Sequence, residues 1–260
     1  MPAFDTPESV SALVEFEVGT AHFVASKRLD TVVTVEPSDP GAQADVKVAE
    51  QVQVTCTDGR LVVRGPKQRS MFGKNGSVTI TVELPAGADV QGVTAAGGFQ
   101  AEGRLGTCRF ETSAGDILLA ETGAAVLKSG YGTIRLERAD GDVEVETAGP
   151  VDLGEINGTL RADSQEGDIR VAVAHAGVEA KAGKGAVRLA DVARGRVSVE
   201  SSAGDLEVGV RESSAVRLEV NTQYGTVHNA LDQVGAPVAH TETVELQART
   251  GYGDIVIRRA

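Results

Sequence analysis

Four aspartates, Asp116, Asp168, Asp205 and Asp254, each follow a glycine at the same point of a recurring motif. Carboxylates repeated at one corner of successive coils are how parallel β-rolls hold calcium, an ion that takes about six to eight oxygens. In the other copies that point is Thr133, Pro150, Ala186 or Thr226. An ion between two coils needs oxygens from both, so these aspartates are expected to hydrogen-bond the backbone at corners instead. Paired carboxylates also serve β-helical glycosidases and lyases. With 37 Asp and Glu among 260 residues, adjacency alone singles out no pair. His22, His175, His228 and His240 show neither H-x-x-x-H nor H-E-x-x-H spacing, which makes them surface or loop residues rather than ligands. Cys56 and Cys108 form no C-x-x-C pair and are expected as buried free thiols. No catalytic residue, metal site or cofactor is assigned.

Binding chemistry has better candidates. Tyr131, Tyr224 and Tyr252 are all the tyrosines of the chain, and each immediately precedes a motif glycine. A ring there packs over the corner, or it joins an exposed aromatic strip that stacks on a sugar or on a partner side chain. Tyr224 and Tyr252 are expected on neighbouring coils. The segment PKQRSMFGKNG, from Pro66 to Gly76, sets Met71 and Phe72 among Lys67, Arg69 and Lys74. This apolar pair either folds back over the sheet beneath it or contacts an acidic or apolar partner. Tyr131, Tyr224, Tyr252, Met71 and Phe72 are the candidate contact residues.

The elements that position them are read from self-similarity. A small residue, Gly, a small or acidic residue and then alternating apolar and polar residues recur: AGDILL at Gly115, YGTIRL at Gly132, AGPVDL at Gly149, EGDIRV at Gly167, KGAVRL at Gly185, AGDLEV at Gly204, YGTVHN at Gly225 and YGDIVI at Gly253. AGGFQA at Gly97 is a degenerate first copy. The steps are 17 or 18 residues at first, then 19, 21 and 28. A second alternating segment lies between copies, such as VEVET ending at Thr147 or VSVES ending at Ser201. A unit this short holds two strands and their corners but no crossover helix. It is also far below the roughly 40 to 50 residues of a propeller blade. The predicted fold is therefore all-β, a parallel β-solenoid of two-strand coils of 17–21 residues, with Ile117 and Leu119, Ile134 and Leu136 and their equivalents pointing inward. Glu111, Lys128, Glu146, Asp163, Lys181 and Glu200 form an outward column.

Residues 1–90 also alternate, at VEFEV, TVVTVEP, VQVTC, LVVRG and VTITVELP, separated by turn signals at SDPG, TDG and NG. The spacing is hairpin-like, and these residues are expected to form a β-sheet cap for a solenoid spanning residues 91–260.

A net charge of −12 with no long basic stretch argues against nucleic acid. The aromatic content is 3% with no Trp, so Val, Ile, Leu and Ala must supply most of the core. MPAFDTPESV lacks the basic and apolar regions of a secretory signal, and no stretch reaches the roughly 18 apolar residues of a membrane span. A cytoplasmic protein is expected.

FDTPESV, GRLVVRGPK from Gly59, EVNTQYGTVHNALD from Glu219 and ARTGYGDIVIRR from Ala248 resemble the domain-of-unknown-function 4097 family, bacterial β-strand-repeat proteins provisionally called adhesins. The similarity covers nearly the whole chain. It implies a β-solenoid with no defined catalytic residues. The expected function is a non-catalytic scaffold or interaction module with a protein partner. A carbohydrate-binding or adhesin-like surface protein is the second reading, and a β-helix polysaccharide hydrolase or lyase the third.

Overall fold

The structure is a computed structural model that describes residues 2–6, 10–66, 76–231 and 242–260. Two compact units divide it, Met1–Gly132 and Thr133–Ala260. In both, the alternating segments become strands that bury every second side chain and stack in parallel. Stacking identical patterns in register puts like on like, which turns each apolar position into a continuous column.

In the second unit one inner column runs Ile134, Val151, Ile169, Val187, Leu206 and Ile255, and its neighbour runs Leu136, Leu153, Val171, Leu189, Val208 and Ile257. All twelve are buried, and each contributes about 1.5–3 kcal/mol. The facing sheet supplies Val143 and Val145, then Leu160 and Ala162, Val178 and Ala180, Val197 and Val199. A ladder of hydroxyl groups closes one corner. Ser164, Ser201 and Thr250 each donate a hydroxyl to the carbonyl of Gly149, Gly185 and Gly204, at 2.8, 3.0 and 2.9 Å. The glycines permit this approach: Gly253 sits at φ +146, and a Cβ on it would run into the Gly204 carbonyl. A side chain there is excluded twice over, by conformation and by space.

The order of the last coils departs from simple succession. Strand Thr243–Tyr252 pairs with Gly195–Ala203 on one side and with Ala215–Tyr224 on the other. Ile255–Arg259 likewise lies between Leu206–Val210 and Val227–Asn229. The final coil in sequence is thus inserted beneath the one before it. The physical reason is composition. Val244, Leu246, Ala248, Ile255 and Ile257 are at most 1% exposed and need cover on both sides. The coil that ends up outermost carries Asn229 in register with Ile257, and a polar residue in the inward column is cheap only where water still reaches it.

The first unit is built on two long strands, Ser11–Ser26 and Asp89–Arg104, paired in parallel with Gly19 opposite Gly97. Ser11–Ser26 also pairs in parallel with Arg60–Arg64 and Val78–Pro85, where hairpin-like spacing led us to expect antiparallel neighbours. Antiparallel pairing does occur in the tight turn between Gln53–Thr57 and Arg60–Arg64, and between Asp30–Pro37 and Val78–Pro85. Asp89–Arg104 then pairs with Cys108–Ala114 and Ile117–Thr122. The core here is aromatic. Phe99 and Phe110 lie 4.9 Å apart, with Phe16 at 5.8 Å from Phe99 and Phe23 at 5.5 Å from Phe110.

Gln43–Gln51 is an α-helix, which alternation did not disclose. Val46 and Val48 stand two apart, as in a strand, and nine residues offer too few turns for a helical period to show. The Asp45 carboxylate holds it by accepting the backbone N–H groups of Asp39 and Ser77, both at 3.0 Å.

Candidate partner-binding face

The corner that ends each second strand carries the tyrosines. Their backbones are fixed by the coil stack: the Tyr224 carbonyl accepts the N–H of Gly253 at 3.0 Å, Tyr252 that of Gly204 at 2.8 Å, and Tyr131 that of Gly115 at 2.7 Å. The three residues are 64%, 60% and 74% exposed, respectively. Because Tyr224 and Tyr252 share a register position on adjacent coils, their rings stack with centroids 4.8 Å apart and planes 7° from parallel. Tyr131 occupies the equivalent corner in the first unit. Met71 and Phe72 lie outside the described residues.

Beside the tyrosine pair runs a polar groove of about 590 Å³. One wall is the outward column Asp163, Lys181, Glu200, Arg249 and Asn221, one residue from each coil. Gly183, Ser202, Gly251 and Gln223 lie two residues further along the same strands and also line it. Tyr252 and Tyr224 follow directly after Gly251 and Gln223. In the first unit Glu111 stands opposite Lys128. Within each unit the expected outward positions align, Glu111 with Lys128 in the first and Glu146, Asp163, Lys181 and Glu200 in the second, although not every charge pairs along them. The Lys181 ammonium turns to Glu179 at 2.8 Å; that hydrogen bond raises the Lys181 pKa and lowers that of Glu179. Arg249 donates to Glu219 at 2.6 Å and Gln247 donates to it at 3.0 Å, and the guanidinium, first of all, holds the Glu219 carboxyl below its usual range.

The other sheet of the second unit carries a shallower groove of about 540 Å³ over Gly154, Ala172 and Ala190. A chain of ion pairs edges it: Arg135–Asp152 at 3.4 Å, Arg170–Asp152 at 3.6 Å, Arg188–Glu207 at 3.9 Å and Arg258–Glu207 at 3.0 Å. Exposed pairs of this kind contribute about 0–1 kcal/mol each and leave little unmatched charge to attract a ligand.

Three aspartates of the motif column accept backbone N–H groups. Asp168 accepts the N–H of Ala186 at 2.9 Å, Asp205 that of Asp254 at 2.9 Å, and Asp254 that of Thr226 at 2.8 Å. At the other corner Asp142 accepts the N–H of Thr159 at 2.7 Å and Asp89 that of Thr107 at 2.7 Å. Among the described residues no three His, Cys, Asp or Glu side chains gather as a metal site. Cys108 is buried and its thiol is pushed up to about 12, by burial first and then by Asp89; Cys56 is half-buried and also raised by burial. Thiols held protonated in this way are poor nucleophiles. His175 contacts Glu155 at 2.9 Å, His22 and His228 lie apart on strands Ser11–Ser26 and Val227–Asn229, and His240 is outside the described residues.

One further copy of the motif lies in the first unit. Gly19 in VGTAHF stands in register with Gly97 and is the corner of the first coil. Its sequence matches YGTIRL at Gly132 in form, but it precedes Gly97 by far more than one period, so a search at fixed spacing passes over it.

No helix of the described residues is long and apolar enough to cross a membrane. No curated protein matches the chain. Among solved structures it is similar to a Bacteroides fragilis protein provisionally named an adhesin, at 15% identity and TM-score 0.49 over 98% of this chain and 95% of that one. It is also similar to a Parabacteroides distasonis protein provisionally named lipid-binding, at 11% identity and TM-score 0.44, again over 98% and 95%. A family model described as Toastrack DUF4097 matches residues 20–259. That match spans nearly every coil of both units, and the chain belongs to the Toastrack DUF4097 family.

Proposed function

We propose that this protein is a non-catalytic interaction module that binds a protein partner through the face carrying Tyr224 and Tyr252. The observation that carries the reading is the exposed, stacked ring pair on a backbone already tied into the coil stack. Tyrosine supplies large contact area at low entropic cost, and a pair that is already ordered loses little more on binding. The adjoining groove, with Asn221, Gln223, Ser202 and charges of both signs, favours a glycan as the second reading, since amides and carboxylates beside an aromatic platform suit sugar hydroxyls.

A photo-crosslinking amino acid at Gln223, used in the producing cell, should give one discrete protein adduct that the Tyr224→Ala/Tyr252→Ala variant loses. The double variant should weaken binding to that protein at least about tenfold. Binding on a glycan array that the same variant abolishes would move the glycan reading to first place. An adduct and a glycan profile both unaffected by the double variant would remove this face from consideration.

A further inference from the structure

The coil formed by Ala215–Tyr224 and Val227–Asn229 is where the second unit stops repeating. Strand Ala215–Tyr224 pairs with Thr243–Tyr252 along one edge, and among the described residues no strand pairs with its other edge. Backbone groups alternate sides along a strand, and each must find a partner or water. Ala215 aims its N–H at the Glu242 carbonyl, at 2.8 Å, on the Thr243–Tyr252 side. By alternation Val216, Leu218 and Val220 aim N–H and C=O at the open edge. Their side chains are the ones left partly uncovered: Val244, Leu246 and Ala248, in register on the next strand, are at most 1% exposed, whereas these three are half-buried. Arg217, Glu219 and Asn221 face outward and are exposed.

We propose that this edge binds a second copy of the chain, the two Ala215–Tyr224 strands pairing antiparallel across a two-fold axis at Leu218. The strand is self-complementary in that register. Val216 faces Val220 of the partner subunit, Leu218 faces its own equivalent, and Arg217 faces the partner's Glu219. The backbone agrees, because Val216, Leu218 and Val220 all aim their N–H and C=O groups at the unpaired edge and would exchange about six N–H···O=C bonds with the partner strand. Neighbouring registers are worse. An axis at Arg217 or Glu219 sets like charges opposite each other, and one at Val220 leaves both without an opposite charge across the pair. A two-fold contact of this kind closes on itself, so it protects an edge that would otherwise recruit strands indiscriminately. The inference does not depend on the tyrosine face.

Sedimentation velocity on the full chain, from about 1 to 100 µM, should show a reversible dimer of the 26.9 kDa protein. Leu218→Pro deletes an N–H that faces the edge no strand pairs with among the described residues, a change edge strands tolerate; it should leave a cooperative melt and a monomer. Should Leu218→Pro fail to fold, Arg217→Glu tests the same register from the solvent side, and it should weaken the dimer roughly tenfold by setting Glu against Glu twice. A monomer throughout the range overturns the proposal. So does a dimer indifferent to whichever of these variants folds, or growth into longer oligomers with concentration.

Discussion

Ile169 and Arg170 are adjacent, and the fold treats them oppositely. Ile169 is fully buried between Val151 and Val187; Arg170 is exposed, 3.6 Å from Asp152 and paired with Asp168. Ile169→Asp puts an unpartnered carboxylate among aliphatic columns, which costs several kcal/mol, and thermal unfolding followed by circular dichroism should show the midpoint falling by more than about 10 °C. Arg170→Asp loses surface ion pairs and sets a third carboxylate beside two, for a loss of about 1 kcal/mol and a few degrees. Equal midpoints for the two variants would refute the inward assignment of Ile169. Period-two alternation made that assignment legible from sequence. It was silent on which carboxylates Arg170 would meet, because those come from a neighbouring coil and from the residue before the strand.

At the scale of the strand and its corner, the repeated aspartates act as acceptors for backbone that the next coil would otherwise leave unpaired. The Asp142 carboxyl lies below the ordinary value of 3.8 because of the hydroxyl and N–H of Thr159, and Asp254 because of the N–H and hydroxyl of Thr226. A carboxylate with a lowered folded pKa adds stability that is present above the unfolded value and lost as pH falls through the folded one. Melting temperature should therefore drop as pH is lowered below about 4. In the Asp142→Asn/Asp254→Asn variant the drop should be shallower, since an amide oxygen still accepts the same N–H but does not titrate. Identical acid profiles would show that these corners carry no pH-linked stability. The corner role was readable from Gly-Asp steps interrupted by Thr, Pro and Ala. The helix Gln43–Gln51 was not, since it is too short for its own periodicity.

Across the whole molecule, the interior is held by columns of aliphatic side chains in the second unit and by Phe16, Phe23, Phe99 and Phe110 in the first. The motif aspartates seen bonding are already satisfied by backbone N–H groups. Thermal melts in millimolar calcium and in excess chelator should therefore coincide. A midpoint higher by more than about 5 °C in calcium, roughly 2 kcal/mol for a chain of this size, would mean that ion binding is part of the folding free energy. The parallel coils, the inward columns and the shared corner position of the tyrosines followed from local sequence, because alternation and corner glycines are set residue by residue. Which coil lies outermost did not, nor did the parallel partners of Ser11–Ser26. Asn229 and Gly19 hold the clues, but their meaning depends on pairing between segments far apart in the chain, and only the packed structure decides which apolar faces are covered on both sides. The same ordering sets the Tyr224–Tyr252 stack on adjacent coils and leaves the edge at Leu218 with no strand paired to it among the described residues.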